Sequence, residues 1–184
     1  DAKSKWVYQN QKSNPIFTQS NLTNVIHKEN GFSDFTVQSL LPNYFSRQGP
    51  SIEVADINND GLDDFFMGGA KGEVSQLFTQ NKNNTFSKIN TPVFVQNAGS
   101  EDIASTFFDA DNDGDKDLYV AAGGYEFEAN DPLLQDRLYL NDGKGNFSLA
   151  ENSLPKLLSS KGCVKAADID SDGDLDLFVG GRIV

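Results

Sequence analysis

The chain has 184 residues, enough for one substantial core or two small ones, with 27 acids against 15 lysines and arginines and a net charge of -12. No basic cluster exceeds a pair of near neighbours, which argues against a nucleic-acid partner, and no apolar stretch nears the roughly 20 residues needed to span a bilayer. Fourteen of the 27 acids lie in three nine-residue stretches that hold a single base, Lys116, so the remainder is close to neutral.

Residues 1–50 form a lead-in without any copy of those stretches. Pro15-Ile16-Phe17 reads as a short strand, and Gly31 to Phe35 and Leu40-Leu41-Pro42 as loop with isolated apolar anchors. The only histidine, His27, stands two residues before Glu29. That pair suits a harder metal site or a general base, but a lone histidine more often satisfies a structural hydrogen bond.

A first unit follows, about residues 51–90. Ser51 to Ala55 alternates as a strand and enters Asp56-Ile57-Asn58-Asn59-Asp60-Gly61-Leu62-Asp63-Asp64, and Phe65-Phe66-Met67 leaves it toward Gly68-Gly69. Two further strands are predicted at 76–79 and 85–89 around Asn81 to Asn84. The second unit, about 102–150, repeats this. Ile103 to Phe108 enters Asp109-Ala110-Asp111-Asn112-Asp113-Gly114-Asp115-Lys116-Asp117, and strands at 117–122, 137–140 and 146–149 follow, with an acidic insertion from Tyr125 to Gln135. The third, from 162, passes Asp168-Ile169-Asp170-Ser171-Asp172-Gly173-Asp174-Leu175-Asp176 and has two strands where the others have four. Its Cys163, the only cysteine, reads as a small buried hydrophobe beside Val164, Ala166 and Ala167.

In each nine-residue stretch, side-chain oxygens occupy positions one, three, five and nine and glycine holds position six. A hard dication such as calcium takes about six to eight oxygens at roughly 2.3–2.6 Å, so a short loop must turn alternate side chains inward and add a backbone carbonyl. Glycine permits the sharp bend. The predicted ligands are Asp56, Asn58, Asp60, Asp64 and the carbonyl of Leu62; Asp109, Asp111, Asp113, Asp117 and the carbonyl of Asp115; and Asp168, Asp170, Asp172, Asp176 and the carbonyl of Asp174. About three calcium ions are therefore expected, and they would halve the net charge. An EF-hand would need a bidentate glutamate at position twelve, where this chain has Met67, Val120 and Val179. Ordinary solvated turns also use Asp, Asn and Gly, but three copies in one register favour cation loops.

The loops start 53 and 59 residues apart, and four short strands per unit of that period predict an all-β fold of propeller blades. Blades bury both faces, which suits apolar runs such as Phe65-Phe66-Met67 and Leu177-Phe178-Val179.

The loops, the Gly-Gly stops and Leu138-Tyr139-Leu140-Asn141-Asp142-Gly143-Lys144-Gly145-Asn146-Phe147 resemble the FG-GAP/VCBS repeats of integrin-α-type propellers over residues 50–184. His27-Lys28-Glu29-Asn30, Leu40-Leu41-Pro42 and Gly49-Pro50 further resemble the lead-in of large bacterial VCBS-repeat proteins. This resemblance implies a secreted, periplasmic or cell-surface protein whose propeller holds structural calcium and presents a surface to a glycan or protein ligand. It also implies continuation into further blades, since such propellers usually close with about seven. The alternative is the propeller part of a metal-dependent carbohydrate-active enzyme such as a lyase or dehydratase. Its support is thin: His27, Tyr125 and Glu126 are the only candidates, and no nucleophile stands beside a base.

Overall fold

The computed structural model describes residues 25–182, so the strand predicted at Pro15–Phe17 lies outside the described residues. Among the described residues, ten strands form three antiparallel sheets. The first contains β1 (Ile52–Ala55), β2 (Asp64–Met67), β3 (Gln76–Gln80) and β4 (Phe86–Ile89), in that order. The second contains β5 (Asp102–Phe108), β6 (Asp117–Ala122), β7 (Arg137–Asn141) and β8 (Phe147–Leu149), and the third pairs β9 (Lys161–Ala167) with β10 (Asp176–Gly181). A one-turn helix, α1 (Pro92–Val95), links the first two sheets. The architecture is a partial β-propeller in which each nine-residue loop joins the first two strands of its sheet.

Register decides which side chains meet between sheets. Glu53 faces Phe66 and Val54 faces Phe65 across the first hairpin, so Phe66, Leu77 and Ala55 share one face and Val54, Phe65 and Phe78 the other. The first face packs against Leu118, Val120 and Tyr139 of the second sheet, closed by Ile57 and Phe94. Phe94 stands edge-on to both Phe66 and Tyr139, with centroids 5.7 and 5.0 Å apart, so α1 seals the wedge between the sheets. The opposite face of the second sheet, with Tyr119, Ala121 and Leu138, packs on Val164, Leu177 and Val179 of the third.

Burial on both faces therefore holds for the middle sheet, where all six residues of β6 are buried. It fails at Phe178, which is 62% exposed, because Phe178 pairs with Lys165 on the face of the third sheet turned away from the second. Cys163 is exposed rather than buried, for a related reason: alternation along β9 sends Val164 into the interface and Cys163 out of it.

The Gly-Gly stops have a packing role. A Cβ on Gly68 would lie 2.7 Å from the Cβ of Asp102, and one on Gly123 would lie 2.8 Å from the Lys161 carbonyl. Each stop thus lets the first strand of the next sheet approach closely.

Candidate metal centres

All three loops leave their sheets at the same end, and their backbones bend alike. Position four is left-handed in each, with φ of 59° at Asn59, 61° at Asn112 and 64° at Ser171, and position six follows with φ of 83° at Gly61, 94° at Gly114 and 99° at Gly173. No L side chain fits position six cheaply.

Local hydrogen bonds repeat with equal regularity. The position-one carboxylates of Asp56, Asp109 and Asp168 accept the amides of Gly61, Gly114 and Gly173 at 2.8, 3.0 and 3.2 Å. Asp60, Asp113 and Asp172 at position five each accept the position-seven amide, of Leu62, Asp115 and Asp174, at 2.9 Å. Asp64, Asp117 and Asp176 at position nine accept the position-two amides of Ile57, Ala110 and Ile169. Asp64 and Asp117 also accept from Gln80 and Asn141, the last residues of β3 and β7, which pins each loop to its own sheet.

The carboxylates of positions one, three and nine converge. Asp109, Asp111 and Asp117 form one group able to hold a metal ion and Asp168, Asp170 and Asp176 another, with ligand atoms within 4.8 Å of one another. In the first loop, position three is Asn58, whose Oδ1 accepts the Asp60 amide at 3.0 Å. Asp113 and Asp172 lie outside the converging groups. The side chains of Asp115 and Asp174 turn toward the preceding loop, where Asn59 and Asn112 donate to them at 3.0 and 2.9 Å. Asn141 Nδ2 donates to the Ile57 carbonyl at 2.8 Å and fastens the second sheet to the first loop.

Electrostatics at position nine favour a cation. Burial lifts the carboxyls of Asp64 and Asp117 above the usual range; the amides they accept offset this in part, and the other acids of each loop push in the same direction as burial. A dication at the loop would reverse that push.

Between sheets run buried ionic networks with no sequence signal. Asp102 Oδ1 accepts from Arg137 at 2.7 Å, while its Oδ2 accepts the Gly69 amide and the Ser75 hydroxyl. Asp136 accepts from the Tyr119 hydroxyl and the Ala122 amide, with Lys161 Nζ at 3.3 Å. His27 Nε2 lies 2.9 Å from Glu29 Oε1, so the two side chains share a hydrogen bond.

No curated protein matches the chain. The family model for the FG-GAP-like repeat matches residues 56–120 and 126–179, which is more than half of the chain and takes in all three loops. The chain belongs to the FG-GAP-like repeat family.

Proposed function

We propose that this is a calcium-binding propeller module of a secreted or surface-exposed protein, in which three ions set the shape of one rim and the module engages a glycan or protein ligand. The observation that carries the calcium reading is the convergence of Asp109 with Asp111 and Asp117, and of Asp168 with Asp170 and Asp176, on loops of shared backbone shape. An all-oxygen donor set suits a hard dication, and weak oxygen cages fill at the millimolar calcium found outside cells. The position-nine carboxylates of the first two loops are hydrogen-bonded to a neighbouring strand of their own sheets, so ions at those loops act on stability, with binding linked to folding.

The test follows the loop glycine amides by NMR as calcium is added to the chelator-stripped chain. Gly61, Gly114 and Gly173 shift together if the loops are the sites. Shifts elsewhere with these three unmoved would overturn the reading.

A further inference from the structure

The end of the sheets opposite the loops carries a second acidic centre. Glu101 stands immediately before β5, and Glu126 lies in the insertion after β6. Glu101 is only 6% exposed and the Glu126 side chain 4%. Glu101 Oε2 and Glu126 Oε1 are both buried with no hydrogen-bond donor among the described residues. Leaving such oxygens bare is costly.

The two carboxylates lie close enough for the charge of one to act on the other. Glu101 Oε2 reaches over Gly124, where a Cβ would lie 2.5 Å from it, and Glu126 follows two residues later. Among the surrounding charges Glu126 acts most strongly on Glu101, ahead of Glu29, Asp102 and Asp34. Asp102 is paired with Arg137, Glu29 shares a hydrogen bond with His27, and Asp34 Oδ2 accepts the amides of Phe45 and Ser46, although Asp34 Oδ1 is also buried and unpartnered among the described residues. Lys71 approaches only the other oxygen of Glu126, at 3.9 Å, and spends itself on the Glu126 carbonyl and the Phe127 ring. Burial first, and then these acids, push the Glu101 carboxyl up to about 8.

We propose that Glu101 and Glu126 are carboxylate ligands of a further divalent cation, of the hard, oxygen-preferring class, held where the second sheet meets the insertion and the lead-in. A cation there supplies the partner that both orphan oxygens lack, and the donors are carboxylates rather than thiolates. It also joins three segments. Phe45 of the lead-in stacks on Tyr125 of the insertion at 5.5 Å, next to Glu126, and Asp34 gathers the amides that place Phe45. The ion would fix the lead-in to the sheets.

Manganese, as a paramagnetic stand-in, tests this in the full chain. Amides of Gly124, Glu126 and Phe45 should broaden at substoichiometric to stoichiometric manganese, in addition to any broadening at Gly61, Gly114 and Gly173. Broadening confined to the loop glycines, or none at all, overturns the site, and the loop signals report separately on the calcium reading. In Glu126→Gln and Glu101→Gln, an otherwise preserved amide spectrum with at least tenfold weaker broadening at Gly124 supports the assignment. Undiminished broadening at Gly124 in both variants rejects these two residues as ligands.

Discussion

Asn112 donates from Nδ2 to Asp174 Oδ1 at 2.9 Å, joining position four of the second loop to position seven of the third across the gap between sheets. Asn59 and Asp115 repeat the contact between the first loop and the second at 3.0 Å. Position seven is the residue whose carbonyl the cation reading assigns as a ligand, so each loop steadies a ligand of the next. Asn112→Ala should therefore weaken calcium binding at the third loop and leave the first unaffected. One hydrogen bond to a charged group is worth about 1.5–3 kcal/mol buried and less at an exposed site, so a loss of about threefold to tenfold is expected. Residue-resolved calcium titration checks it, with Gly173 and Gly61 as reporters.

Asp102 is the buried joint between the first two sheets, and its removal leaves Arg137 charged and unpaired. Asp102→Ala should cost about 3–5 kcal/mol in denaturant unfolding. Replacing both partners by apolar residues of similar volume should recover much of that loss. A cost under about 1 kcal/mol for the single substitution would show that the pair carries no weight.

Tyr119 and Tyr139 should ionise only as the fold opens. Burial, with the hydrogen bond from Tyr119 to Asp136, pushes Tyr119 far above the usual phenol range, and burial pushes Tyr139 up as well. A folded pKa above the unfolded one gives stability that is present below about pH 10 and is lost as pH rises beyond it. Absorbance at 295 nm and far-ultraviolet circular dichroism, followed together through alkaline titration, should show these two tyrosines titrating with the loss of β structure. Full phenolate absorbance from an intact fold would contradict this.

The hairpins and loops were legible because their signals are local. Glycine at position six, the acids at alternate positions and the apolar run after each loop fix strand, turn and strand within about twenty residues. Which face of a strand meets a neighbour is a different matter. Val164 and Cys163 look alike in sequence, yet one lies in the interface and the other is exposed, because that depends on which neighbouring sheet packs on β9. Phe178 is exposed for the same reason. Asp102, Arg137, Asp136 and Lys161 gave no signal at all, since their partners lie 25 to 35 residues away and carry no spacing rule. Glu101 and Glu126 are likewise brought together by a sheet edge and an insertion, not by a motif.

The central claim, that the three loops are cation sites that stabilise the sheets, is met most directly by calorimetric calcium titration of the chelator-stripped chain, with the melting temperature followed in parallel. The account predicts at least three ions bound and a melting temperature that rises with calcium concentration. No binding heat at millimolar calcium, with an unchanged melting temperature, would reduce the loops to ordinary turns and contradict it.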